Sequence, residues 1–294
     1  MINFNKFYKS FSIVSTLLVA ISIILLSFKG LNFGIDFKGG TLIELRTQDN
    51  QTNVATLRGV FSKMNLGDVN IKKFGQDSDY LIKIEKKDTS SNIIELIKED
   101  LTNSIGENFT FRRVENVGPK VSSELLKSGI TAILLSLAAM LFYIWIRFEW
   151  QFSLGAIIAL FHDVLITLGL FSLLNLEINL SIVAAVLTIV GYSMNDTVVI
   201  FDRVRENLRK YKNIDLIEVF NMSINNTLSR TVMTSITTLL ALISLYLFGG
   251  EVIKPFALTM IIGVLVGTYS SIFIAVPTLL VFKFRPQDED ENEN

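Results

Sequence analysis

Asp196 lies inside an apolar run, Leu180 to Phe201, that is long enough to cross a bilayer, and Asn195 precedes it. An ionisable group at that depth costs roughly 2.5–3.5 kcal/mol on insertion scales. Such residues face a bundle interior or a watery cavity, and they mark ion or proton paths. The next apolar run opens on Arg230 and carries Thr231, Thr234, Ser235, Thr237 and Thr238. These hydroxyls mix the i, i+3, i+4 and i+7 offsets of one broad helical face, which should look inward. Asp196 sits about six residues, or about 9 Å at 1.5 Å per residue, from the end of its span. Arg230 stands at the same end of the following span, and its long side chain can reach that depth. Arginine and water favour the ionised acid, while desolvation favours the protonated one. The pair can therefore tie proton binding to helix packing. A structural ion pair that fixes the packing is the plainer role for the same two residues.

A second acid, Asp163, sits mid-span beside His162, the chain's one histidine. Imidazole titrates near neutrality, so the two can relay protons toward Asp196 or form a hydrogen-bonded packing pair. Both readings stand. Two aspartates on adjacent spans also raise the chemistry of an intramembrane aspartic protease, in which one acid and one base activate water. The residues around them argue against it: Asp196 follows Ser193, Met194 and Asn195 rather than Gly-x-Gly, and Asp163 follows His162 rather than Tyr. A third motif is FGIDFKGGT, Phe33 to Thr41. Gly39 and Gly40 permit a tight turn, which Asp36 and Lys38 could anchor. No helix opening with Lys-Ser/Thr follows, so a nucleotide site is not expected. No metal or cofactor is expected either.

These residues need a membrane to hold them. The chain of 294 residues is 50% hydrophobic and 19% charged, with mean hydropathy +0.47, the composition of a polytopic membrane protein. A net charge of −1 offers no concentrated basic surface for nucleic acid. Cysteine is absent, so any domain outside the membrane must fold on packing alone. Six segments have the length and apolarity of membrane helices: Phe11–Phe28, Gly129–Ile146, Phe152–Leu174, Leu180–Phe201, Val232–Phe248 and Phe256–Val281. The first follows Lys6 and Lys9 as a signal peptide would. It lacks a small-x-small cleavage site and is long for a signal core, so an uncleaved anchor is expected. Arg203, Arg205, Arg209, Lys210 and Lys212 place the loop after the fourth span, and both termini, in the cytoplasm. The tail, 283–294, reads as a disordered, acidic, solubilising end. In the sixth span, Gly263 and Gly267 are spaced for close helix contact, and Pro277 should kink or end the helix.

Residues 29–128 form an extracytoplasmic insertion with a core at about 41–117. Alternation in Thr41–Thr47, Val69–Phe74, Tyr80–Ile84 and Phe109–Val114, with helical spacing in Val54–Met64 and Ile93–Leu101, gives the order β-α-β-β-α-β. That is the ferredoxin-like pattern, with GQDSD as a turn-rich loop. GPKVSSELLKSGI reads as a linker into the second span: Gly118 and Pro119 begin it and Ser122–Ser123 cap the helix. A hinge is the minority reading there.

GYSMNDTVVIFDRVREN (Gly191 to Asn207) resembles the signature of the SecF family, one half of the SecD–SecF accessory complex of bacterial protein export. FGIDFKGGT, VGPKVSSELLKSGITA (Val117 to Ala132), FHDV (Phe161 to Val164), LSRTVMTSITTLL (Leu228 to Leu240) and GTYSSIF (Gly267 to Phe273) extend the resemblance over nearly the whole chain. It implies a non-enzymatic translocase subunit of the bacterial inner membrane. Such a subunit works with SecD, the SecYEG translocon and accessory membrane subunits, and uses the proton-motive force to help preproteins leave. It also implies that Asp196 and Arg230 take part in proton transport. A proton-driven small-molecule exporter of the same superfamily is the runner-up.

Overall fold

The computed structural model describes residues 2–48, 52–64, 66–85, 93–106 and 108–282; the expected acidic tail lies outside the described residues. The chain runs α1 (Asn5–Phe28), β1 (Asn32–Phe33), the single turn α2 (Ile35–Lys38), β2 (Gly40–Thr47), α3 (Val54–Lys63), β3 (Val69–Phe74), β4 (Gln76–Ile84), α4 (Ile93–Ile105) and β5 (Phe109–Val117). It continues as α5 (Pro119–Arg147), α6 (Trp150–Leu174), β6 (Glu177–Ile178), α7 (Leu180–Lys210), α8 (Leu216–Phe248) and α9 (Lys254–Ser270). A π-helical segment, Ser271–Ala275, and α10 (Val276–Val281) close it. Among the described residues, six helices are long and apolar enough to cross a membrane, the last counted as Lys254–Val281. This is a multi-pass membrane protein. Two compact units divide it: 2–31, 132–176 and 181–282 form one, and Asn32–Thr131 with Glu177–Leu180 the other.

The second unit is built on a four-stranded antiparallel sheet in the order β3-β4-β2-β5, the ferredoxin-like arrangement that the sequence pattern predicts. Asn53 caps α3 by accepting a 2.8 Å hydrogen bond from the Thr56 amide, as short polar side chains do at helix starts. Leu57, Val60 and Phe61 of α3 and Ile97 and Leu101 of α4 close over Ile43, Leu45, Ile71, Ile82 and Ile84 of the sheet. GQDSD is not a loop. Only Gly75 separates β3 from β4, and Gln76–Asp79 are strand. Cross-strand pairing decides this: Asp79 stands opposite Arg46 of β2 and accepts from its Nε at 2.6 Å and Nη2 at 2.7 Å. That guanidinium, helped by Arg112, holds the Asp79 carboxyl below its ordinary range.

In the first unit, α6 packs against both α1 and α9, and α9 also packs against α8. Small residues set the spacing. A Cβ at Gly169 of α6 would fall 2.2 Å from Ser22 Oγ of α1. On α9, a Cβ at Gly263 would meet Ile189 at 2.2 Å, and one at Gly267 would meet Ser193 Cβ at 2.9 Å, so both glycines let α9 lie directly on α7.

Two local expectations are corrected. α7 does not end in a loop at Phe201 but continues to Lys210. Arg and Glu are good helix formers, and Arg203–Glu206 and Arg205–Asp202 pair one turn apart. Ser122 and Ser123 do not cap α5; their hydroxyls donate back to the Pro119 and Lys120 carbonyls, and helix runs unbroken from Pro119. At Pro277 the last span departs from α geometry: proline lacks the N–H that would bond residue 273 and its ring crowds that carbonyl, residues 271–275 are π-helical, and helix ends at Val281.

Candidate functional site

Three spans meet around Asp163. Its side chain is fully buried on α6. Oδ2 accepts from Ser193 Oγ of α7 at 2.5 Å and from Ser270 Oγ of α9 at 2.8 Å. Oδ1 lies 2.9 Å from Nδ1 of His162, and the Asp163 carbonyl takes the Thr167 hydroxyl at 2.8 Å. One turn further along α7, Thr197 Oγ1 bonds Ser271 Oγ at 2.8 Å, and Ser271 donates to the Gly267 carbonyl. Both serines on the last span thus stand at the start of the π segment, which presents consecutive hydroxyls to two different partners. Removing such groups from water without partners costs several kcal/mol; here every oxygen of the Asp163 carboxylate has one.

Asp196 is different. It follows Ser193 by three residues, on the same buried face of α7, and is 3% exposed. Its Oδ2 makes no hydrogen bond among the described residues. Arg230 is exposed on α8 and makes no ion pair with Asp196 among the described residues. Thr231, next to Arg230, is buried, and its hydroxyl oxygen has no hydrogen-bond partner among the described residues. The remaining hydroxyls of that face are satisfied. Thr234 donates to the Arg230 and Thr231 carbonyls, Ser235 and Thr268 share a 2.7 Å bond, and Tyr192 donates to Thr238 at 3.3 Å. Asn195 is exposed and does not join Asp196. No hydrogen bond links Asp163 to Asp196 among the described residues.

His162 is 5% exposed, and its Nε2 makes no hydrogen bond among the described residues. Its ring lies 5.9 Å from that of Tyr269, whose hydroxyl bonds Ser15 at 2.5 Å and the Phe11 carbonyl at 2.9 Å. His162 also lines a cleft of about 690 Å³ with Ser12, Ser15, Thr16 and Phe273. Ser193, Thr197, Ser270 and Ser271 were not singled out from the sequence. The signal was a pair of adjacent serines in an apolar span and a serine one turn before Asp196, too common in membrane helices to stand out.

The FGIDFKGGT residues gather elsewhere, within the second unit. β1 pairs in parallel with β6, Asp36 Oδ2 accepts the Leu180 amide at 2.9 Å, and Lys83 of β4 bonds Glu177. Gly39 and Gly40 have φ of +80° and +129°, and a Cβ at Gly40 would sit 2.4 Å from the Ile84 carbonyl. Only glycine fits that conformation and space. Gly118 has no such need, since a Cβ there meets nothing within 4 Å. Pro119 is the first residue of α5. Among the described residues, no group of three or more His, Asp or Glu is placed to hold a metal ion.

Six candidate spans, two of them carrying buried carboxylates, with a ferredoxin-like domain inserted between the first two, define a polytopic membrane protein with one inserted domain. The comparisons place it further. Residues 97–285 match the family model "Protein export membrane protein SecD/SecF, C-terminal", and residues 24–51 match the SecD/SecF GG motif. Protein translocase subunit SecF of Rickettsia bellii is 48% identical over 282 residues, 95% of this chain and 92% of that one. That of Rickettsia prowazekii is 47% identical over 285 residues, covering 96% and 90%. The crystal structure of SecDF, a translocon-associated membrane protein of Thermus thermophilus, superposes with TM-score 0.86 at 38% identity over 96% of this chain and 38% of that one. A second SecDF structure, in a super-membrane-facing form, gives TM-score 0.71 at 37% identity, covering 96% and 39%. The chain therefore spans somewhat over a third of the SecDF chains it matches. It belongs to the SecF family.

Proposed function

We propose that this chain is the SecF-type subunit of a protein-export accessory complex in the bacterial inner membrane. It assembles with SecD and acts beside the SecYEG translocon, with both termini in the cytoplasm and the inserted domain outside. The names of its relatives and the composite SecDF chain support the partnership, because this chain matches one part of a protein in which both halves are joined. The work is driven by protons. One proton crossing 100 mV supplies about 2.3 kcal/mol, enough to bias a conformational equilibrium about fifty-fold and therefore suited to cyclic movement rather than to a covalent step. No proteolytic role is assigned: the oxygens of Asp163 are taken by His162, Ser193 and Ser270, unlike an acid dyad that shares one proton.

The observation that carries the reading is the contrast between the two acids. Asp163 is saturated with donors and packs three spans together. Asp196 is buried to a similar degree with an oxygen unpaired among the described residues, and α8, which carries Arg230, is the next span in the chain. A buried polar atom without a partner calls for an explanation beyond folding, and intramembrane acids most often serve ion pathways. Proton uptake at Asp196 changes its attraction to Arg230 and so the balance between α7 and α8.

The test is export of a secreted reporter in cells depleted of their own SecF, complemented with this chain or with Asp196→Asn at matched membrane levels and with SecD co-purification checked. Assembly without export is expected. Full export by the variant would make the carboxylate structural and sink the reading.

A further inference from the structure

The second unit includes four residues distant in sequence from the rest of it: Glu177–Leu180, the connection between α6 and α7, cluster with Asn32–Thr131. The chain enters and leaves this unit at 31–32 and within the continuous helix α5, and again at 176–177 and 180–181 on either side of the connection. The contacts that 177–180 make with Asn32–Thr131 tie the connection, and with it the first residue of α7, to the sheet domain.

That link is built from four elements. Asn32 and Phe33 pair in parallel with Glu177 and Ile178, and the Gly34 amide extends the ladder to the Ile178 carbonyl at 2.9 Å. A Cβ at Gly34 would lie 3.3 Å from that carbonyl. Asp36 then accepts the amide of Leu180, the first residue of α7; a carboxylate there satisfies a free helix N–H and complements the positive end of the helix dipole. Gly39 and Gly40 bind this loop to the sheet, with β2 folding immediately against Ile84 of β4 and Val117 of β5. Finally, Lys83, next to Ile84, reaches across to the Glu177 carboxylate. A two-residue parallel ladder does not hold alone, since even a two-stranded hairpin is marginal in water. The acid cap and the ion pair are what make it a joint.

We infer that Asp36, Lys83 and Glu177 form a clasp that makes the start of α7 part of the inserted domain, so that motion of α7 is delivered to the domain through the clasp. This rests on the proton-coupled reading of Asp196, which sits sixteen residues along the same helix. In that scheme Asp36 and the Lys83–Glu177 pair are positioning residues: they touch neither proton nor preprotein, and they stay engaged through the cycle. Surrounding charges are mixed: Lys72 of β3 and Lys38 of α2 oppose the Lys83 ammonium, while Asp36 and Glu85 support it.

The chain lacks cysteine, so paired cysteines can be introduced without background. Phe33 and Ile178 are Cα partners, and directly paired strand residues fall in the distance range a disulfide needs. In SecF-depleted cells, with SecD co-purification matched, Asp36→Ala and Glu177→Lys are expected to lose export of the reporter. The charge swap Lys83→Glu/Glu177→Lys should restore it. The Phe33→Cys/Ile178→Cys disulfide should leave export intact and should rescue Asp36→Ala until reductant is added. Export blocked by the disulfide alone and recovered with reductant would mean the joint must open, and would overturn the inference. So would normal export by Asp36→Ala and Glu177→Lys, or failure of both the swap and the disulfide to rescue. Asp196→Asn runs in parallel. If it fails while the broken clasps export, only the clasp falls; if it exports normally, the proton-coupled reading falls, and delivery of motion from α7 falls with it.

Discussion

Two buried aspartates, Asp163 and Asp196, stand on neighbouring spans and have opposite chemistry in the fold. Asp163 carries donors from two neighbouring spans, and Asp196 leaves Oδ2 bare. Ser193→Ala should therefore cost about 0.6–1.7 kcal/mol, the range of interhelical hydrogen bonds in membranes, with the backbone packing intact. Asp163→Ala should cost more, because it strands the Ser193 and Ser270 hydroxyls and His162 together, at roughly 1–3 kcal/mol for each buried donor left unpaired. Reversible unfolding of the purified protein in mixed micelles measures both. Equal costs would mean that the hydroxyl bridge adds nothing beyond helix packing. Asp196→Asn breaks no hydrogen bond at Oδ2 but leaves a buried amide donor without a partner, so it should cost less than Asp163→Ala, which strands three donors.

Between elements, glycine separates two kinds of contact. Gly267 of α9 rests against Ser193, and a Cβ there would overlap Ser193 Cβ at 2.9 Å. Gly267→Val is expected to wedge α9 off α7 and pull both the Ser193 and the Ser270 hydroxyls from Asp163, at roughly 1–3 kcal/mol for an overpacked site. The unfolding assay above reads it, and stability equal to the parent would contradict the close approach. In the inserted domain the contrast is internal. Gly59 lies mid-helix in α3 with nothing within 4 Å of a Cβ, so Gly59→Ala should stabilise by about 0.5–1 kcal/mol. Gly40→Ala should destabilise, since φ of +129° and the Ile84 carbonyl at 2.4 Å exclude a side chain. Urea midpoints of the domain, followed by pulsed hydrogen-exchange mass spectrometry on the full chain, separate the two signs.

At the scale of the whole molecule the informative ionisation is Lys83. Burial first, then Lys72, pushes it from 10.5 down to about 8. A folded-state value below the unfolded one means that the folded domain binds fewer protons than the unfolded chain between about pH 8 and 10.5. Stability therefore rises with pH across that window. Lys83→Met should remove this slope, measured as urea midpoints at pH 7.5 and 9.5 with the labelling pulse held at one pH. An unchanged slope would place the proton elsewhere. The same deprotonation weakens the Lys83–Glu177 contact, so alkaline conditions should stabilise the domain's own fold while loosening its hold on the start of α7.

Much of this protein is written locally. Six apolar runs gave the six spans, because a bilayer core admits little else at that length. Alternation and helical spacing over 41–117 carried the β-α-β-β-α-β order, because strand and helix faces repeat with different periods. Asp196 was visible as a charge in the wrong solvent. Other features were set by partners distant in sequence. Strand or loop for Gln76–Asp79 depended on Arg46 standing opposite Asp79. The glycines of FGIDFKGGT looked like a turn until Ile84 and Val117 closed on them. Whether Asp163 or Asp196 was satisfied turned on Ser193 and Ser270, residues 30 and 107 positions away from Asp163. Hydrophobic period and span length are properties of neighbouring residues. Hydrogen-bond partnership of a buried acid belongs to helices that meet only after the chain has packed.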